Sequence, residues 1–262
     1  MTQAEERLSS RVKDKLAKGE PVYSMTVRLV RGVEIGAVAK AAGFDAIYID
    51  LEHSGLSIET AGQISIASLA MGVDPFVRVP GVDPHVITRV LDAGAIGIIV
   101  PGLESAEDAR TAVNAARYRP EGERSLPGVM PQLGFRALSA SMATAELNQA
   151  ITVVAMIESA AGLAAVHEIA AVPGIDILLV GANDLCTEAG IPGQFESEFV
   201  EAAYRRTLDA CREHGKTLGV GGLASRPDLM KKYVAMGGRY VSLGADISLL
   251  VAAARRKRQE VE

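Results

Sequence analysis

The sequence predicts an α/β fold, a single (β/α)₈ TIM barrel, on three observations: eight short apolar runs, helix signals between them, and an aliphatic rather than aromatic interior. At 262 residues the chain hides roughly 70% of its extended surface on folding, enough for one large core. Apolar residues make up 48% and aromatics 4%, with no Trp, so Ala, Val, Ile and Leu must fill that core.

The eight runs are Val22 to Val27, Ala46 to Asp50, Pro75 to Val79, Gly97 to Val100, Val153 to Ile157, Ile177 to Val180, Thr217 to Gly221 and Tyr240 to Leu243. Nearly continuous apolar strands alternating with amphipathic segments imply parallel strands covered by helices. Asp83-Pro84 followed by Gly94 reads as a cap, a first-turn proline and a terminator, and Ser57 to Gly72 and Ser105 to Ala116 read the same way. Residues 1–20 form a helical extension. About fifty residues separate the fourth run from the fifth, and the segment 117–149 is expected to be a long βα insertion covering the active site. Gln132 and Arg136 within it are candidates for selecting one substrate tail. No linker divides the chain, so 1–262 is one domain.

Lys and Arg total 27 against 32 for Asp and Glu, and the net charge of −5 carries no basic footprint for nucleic acid. The run Arg255 to Arg258 ends a helix, where cations complement exposed carbonyls. Cys186 and Cys211 have no metal spacing and form no disulfide framework, which suits a reducing cytoplasm. No membrane span or apolar leader is expected.

A barrel places its chemistry at the carboxyl ends of its strands. There stand Asp50, Glu52 and His53 after the second run, Arg78 in the third, Glu158 after the fifth and Gly181 to Asp184 after the sixth. Glu158 and Asp184 would supply two carboxylates for a hard divalent cation, with positions left for water and a chelating substrate. Arg78 would hold an anionic oxygen, and Asp50 could orient His53 as a base. Asp50 and Asp184 would equally serve as helix caps. No lysine is placed to reach the pocket from a strand, so imine chemistry is not expected, and no organic cofactor motif is found.

The ordered set Gly43-Phe44-Asp45, Asp50-x-Glu52-His53, Val77-Arg78-Val79-Pro80, Pro120-Glu121-Gly122, Ile157-Glu158, Gly181-x-x-Asp184-Leu185 and Val241-x-Leu243-Gly244-x-Asp246 resembles the HpcH/HpaI family of class II pyruvate aldolases. The resemblance implies Mg²⁺, Mn²⁺ or Co²⁺ held by Glu158 and Asp184, pyruvate oriented by Arg78, and a base formed by His53 with Asp50. It further implies a hexamer, a trimer of dimers, whose last helix is exchanged between subunits. The stripe Ile247, Leu249, Leu250 and Val251 suits exchange, and equally a helix closing its own barrel. Met156 stands where the family has Gln, and a thioether donates no hydrogen bond. Gly181-Ala182-Asn183-Asp184 replaces Gly-Pro-Ala-Asp, leaving a backbone N–H for the pyruvate carboxylate. Glu52 and Met156 are placed behind the reacting groups.

The expected reaction is reversible cleavage of a 4-hydroxy-2-oxo acid into pyruvate, or a close 2-oxo acid such as hydroxypyruvate, and an aldehyde. Alternatives are a related lyase acting on an acyl-CoA or phosphoenolpyruvate-like substrate, and a barrel that binds a 2-oxo acid without turnover.

Overall fold

The structure, a computed structural model, describes Leu8 and residues 10–262. Eight parallel strands close in sequence order: β1 (Val22–Val27), β2 (Ala46–Asp50), β3 (Asp74–Arg78), β4 (Gly97–Val100), β5 (Thr152–Ile157), β6 (Ile177–Gly181), β7 (Thr217–Gly221) and β8 (Tyr240–Ala245), with β8 paired back to β1. This is the expected barrel. Twelve α-helices accompany them among the described residues.

The caps read in the sequence form as expected. Ser57 accepts from Thr60 N and starts α3 (Ile58–Ala70), Asp83 accepts from His85 N and Val86 N before α4 (Pro84–Asp92), and Ser105 accepts from Asp108 N before α5 (Ala106–Ala116). Alternation along each strand sorts the core into two layers. Tyr48, Phe76, Ile99, Val154, Leu179 and Tyr240 fill the barrel interior, whereas Ile47, Ile49, Val77 and Ile98 pack outward against helices. The ring of Phe76 occupies space beside Gly97, where a Cβ would come within 2.5 Å of it.

The amino-terminal floor is closed by α1 (Arg11–Ala17), whose Val12 is fully buried beneath the interior cluster. Of the expected helical extension over 1–20, residues 1–7 and 9 lie outside the described residues.

The placement of segment 117–149 corrects the sequence reading. This segment follows α5, not a strand, and α5 has already carried the chain from the rim back to the floor. Arg117 donates to the Asn148 carbonyl and, at 2.9 Å, to Asp176 just before β6. Gln132 is buried and donates to the Ala95 carbonyl at 2.8 Å, at the amino end of β4. Lys13 of α1 donates to the Gln149 carbonyl at 2.9 Å. The segment, with α6 (Ala140–Ala150), is therefore an αβ insertion braced on the floor. Gln132 is a structural tie there and does not select substrate in its own barrel.

Last comes α12 (Asp246–Gln259), and every residue after Asp246 is exposed. Ile247, Leu249, Leu250 and Val251 are among the large apolar side chains left uncovered.

Candidate active site

A cavity of about 630 Å³ opens at the carboxyl ends of the strands, lined in part by Arg28, His53, Arg78, Gly181, Asn183 and Asp184. One wall is organised by the parallel register of β2 and β3, which sets Asp50 directly beside Arg78. Arg78 donates to Asp50 through Nε at 2.9 Å and Nη2 at 2.7 Å, a bidentate pair buried on both sides. Its remaining Nη1 lies 2.8 Å from Glu52 Oε2 and 4.0 Å from the Met156 sulfur. The guanidinium also packs 5.5 Å from the Tyr48 ring centre. Asp50 accepts further from Arg28 Nε at 2.6 Å and from the amides of Glu52 and His53. Burial alone would raise the Asp50 carboxyl, but the Arg78 hydrogen bonds and charge, with the His53 amide and Arg28, hold it at about 2.

This arrangement alters one expected partnership. Asp50 touches the His53 amide, not its ring. The ring is exposed, and the carboxylate within reach of Nε2 is Glu52, at 3.7 Å. Two arginines saturate Asp50, which leaves Glu52 as the carboxylate nearest the imidazole, beyond hydrogen-bond distance.

The opposite wall is acidic. Glu158 follows β5 and accepts from Gly102 N at 2.8 Å through Oε1, while its Oε2 is buried with no hydrogen-bond partner among the described residues. It stands just behind Gly181, where a Cβ would come within 2.8 Å of Oε2 and displace it. Burial raises the Glu158 carboxyl to about 7; the charges of Asp184 and Glu52 push the same way, against the Gly102 hydrogen bond and the Arg78 charge. Asp184 lies exposed in the first turn of α9 (Ala182–Glu188), close enough for its charge to act on Glu158. A buried, partnerless oxygen beside a second carboxylate fits a hard divalent cation. Three metal-type side chains also meet at His167, Glu213 and His214, but these sit on α8 (Val166–Ala171) and at the end of α10 (Glu198–His214), outside the cavity.

Two contributors escaped the sequence reading, and a third, Asp246, stood there only as part of a motif. Thr26 and Arg28 reach the cavity from β1 and its end, and Asp246 fixes the following loop by accepting from Arg28 N, Leu29 N and Val30 N at 3.1, 3.0 and 2.8 Å. The alternation Ser24, Thr26, Arg28 in an otherwise apolar run was the available signal.

A profile of the HpcH/HpaI aldolase/citrate lyase family matches residues 34–253. The 4-hydroxy-4-methyl-2-oxoglutarate aldolase tasA of Hapsidospora irregularis is 40% identical over 92% of this chain and 90% of its own. A hydroxypyruvate/pyruvate aldolase of Paraburkholderia phytofirmans is 34% identical over 95% and 96%. Among solved structures, an HpcH/HpaI aldolase from Desulfitobacterium hafniense superposes with a TM-score of 0.90 at 29% identity, over 95% of this chain and 96% of that one.

Proposed function

We propose how a chain that belongs to the HpcH/HpaI aldolase/citrate lyase family, and is a class II pyruvate aldolase, performs its reaction. It reversibly cleaves a 4-hydroxy-2-oxo acid into pyruvate, or a close 2-oxo acid such as hydroxypyruvate, and a carbonyl fragment. That fragment is an aldehyde or, as the relatives acting on 4-hydroxy-4-methyl-2-oxoglutarate suggest, a ketone. The observation that carries the reading is the buried, partnerless Glu158 Oε2 just behind the cavity-lining Gly181, in a site whose other wall is a guanidinium locked to Asp50.

Glu158 and Asp184 would hold a divalent metal, Mg²⁺, Mn²⁺ or Co²⁺. Bound there, the ion acts as a Lewis acid that polarises the 2-oxo carbonyl. The backbone around Gly181 and Asn183 binds the substrate carboxylate. Arg78, kept immobile by Asp50, directs Nη1 to the 2-oxo oxygen as negative charge develops, a contribution of about 3 to 4 kcal/mol. His53, with Glu52 the carboxylate nearest its ring, takes the 4-hydroxyl proton. The C3–C4 bond then breaks, its electron pair moves toward the 2-oxo oxygen, and the enolate takes a proton at C3 after the carbonyl fragment leaves.

Two further proposals concern the whole molecule. The uncovered apolar residues of α12 pack on a neighbouring subunit, in a hexamer. The protein works in a reducing cytoplasm, consistent with two free, buried cysteines; no described helix is long and apolar enough to cross a membrane.

The test is pyruvate release from 4-hydroxy-4-methyl-2-oxoglutarate and 4-hydroxy-2-oxopentanoate by enzyme stripped with a chelator and then reloaded. Activity should vanish and return with the metal. Failure of reloaded enzyme to cleave either compound would overturn the reading.

A further inference from the structure

The two arginines of the cationic wall are not equivalent. Arg78 spends both Nε and Nη2 on Asp50, which leaves it a single nitrogen, Nη1 beside Glu52, for the 2-oxo oxygen. Arg28 spends only Nε, on Asp50 Oδ2, and its two terminal nitrogens have no hydrogen-bond partner among the described residues. Its side chain is 37% exposed, and it lines the cavity. Its backbone N–H donates to Asp246 and its Nε to Asp50, so the stem that carries the free end of the fork is tied at two points. In the closed strand order β1 stands across the barrel from β5, which puts Arg28 opposite the Glu158 wall. Thr26 and Ser242, whose hydroxyls lie 3.3 Å apart, add neutral hydrogen-bonding groups to the same side of the cavity.

A planar fork with two free donors matches a carboxylate, which it binds bidentately. No lysine lines the cavity to help it hold a phosphate dianion. We propose that Arg28 is a specificity-determining residue that binds a carboxylate on the carbonyl fragment, so that the preferred substrate is a 4-hydroxy-2-oxo dicarboxylic acid. This rests on the aldolase reading above: the 2-oxo head occupies the Glu158 and Asp184 side, and the second carboxylate reaches across to Arg28.

The test uses two pairs of ligands that differ only at the tail. Metal-loaded wild type, Arg28→Gln and Arg28→Lys are assayed on 4-hydroxy-4-methyl-2-oxoglutarate and on 4-hydroxy-2-oxopentanoate, and titrated by calorimetry with unreactive 2-oxoglutarate and 2-oxopentanoate. Arg28→Gln should lower the ratio of kcat/KM for dicarboxylate over monocarboxylate by about 10- to 100-fold, mainly through KM, the size of a lost charge-assisted hydrogen bond. The preference for 2-oxoglutarate binding should shrink in parallel, and Arg28→Lys should restore part of both. An equal fall on both substrates, with the binding preference unchanged, would reduce Arg28 to a prop for Asp50 and overturn the proposal. If wild type cleaves neither compound the aldolase reading fails instead, and the calorimetric preference still decides the role of Arg28.

Discussion

Two aspartates on neighbouring strands show how the ends of this barrel differ. Asp50 closes β2 at the rim and Asp74 opens β3 at the floor, and both are buried. Asp50 meets two guanidiniums and is held at about 2. Asp74 meets the Ser10 hydroxyl and the Val12 amide, each at 2.8 Å, and no cation among the described residues; burial lifts it to about 6 despite those hydrogen bonds. Two buried aspartates thus shift in opposite directions, because partner charge decides the sign. At the rim an aspartate held below its usual range anchors the Arg78 guanidinium. At the floor an aspartate latches α1 over the interior core.

The contrast can be broken from either end. The largest effect is expected at the rim: Glu158→Gln should weaken Mn²⁺ binding by more than about 100-fold, exceeding the usual cost of losing a ligand's supporting partner. Calorimetric affinity within a few-fold of wild type would remove Glu158 as a ligand. Next, Arg78→Ala should lower kcat by about 10²- to 10³-fold while metal affinity stays close to wild type. It should also destabilise the fold by about 3 kcal/mol, because Asp50 loses its bidentate partner in a buried site. Comparable loss of metal affinity in Arg78→Ala and Glu158→Gln would dissolve the division of roles between the walls.

The pH dependence of stability sharpens the comparison. The folded value of Asp74 lies above its unfolded one, so between about pH 4 and 6 the folded state binds more protons. Its contribution therefore declines as pH rises, by up to about 3 kcal/mol. Asp50 has the opposite sign: its stabilisation is present above about pH 4 and is lost as pH falls toward 2. Urea unfolding of Asp74→Asn should show a less negative slope between pH 4 and 6 than wild type; identical slopes would show that Asp74 ionises normally. The smallest effect belongs to the insertion. Gln132→Ala should cost about 1 to 2 kcal/mol through the carbonyls it leaves unpaired, without changing substrate preference. A changed preference would mean that the insertion reaches an active site after all.

The barrel was legible because each unit carries its own signals: a run such as Ile177 to Val180 is apolar enough for a strand buried on both faces, and Asp83 with Pro84 announces a helix. Position at a strand end likewise marked Asp50, Arg78, Glu158 and Asp184; Arg78 and Asp184 line the cavity, with Asp50 paired to Arg78 and Glu158 behind Gly181. Arg28 went unread although its alternation with Thr26 pointed inward. The insertion was misassigned because a long gap in the sequence does not say whether the chain is at the rim or the floor; the helix Ala106–Ala116 settles that by bringing the chain down first.

Sequence alone therefore determined how many strand and helix units there are and which polar residues end them, since those follow from local periodicity and capping. Only the tertiary structure decided that Asp50 belongs to the arginines and not to the His53 ring, that Glu158 keeps an oxygen free behind Gly181, and that Arg28 faces them across the barrel. Such pairings depend on register and closure, which bring together side chains dozens of residues apart, and no local pattern encodes the distances between them.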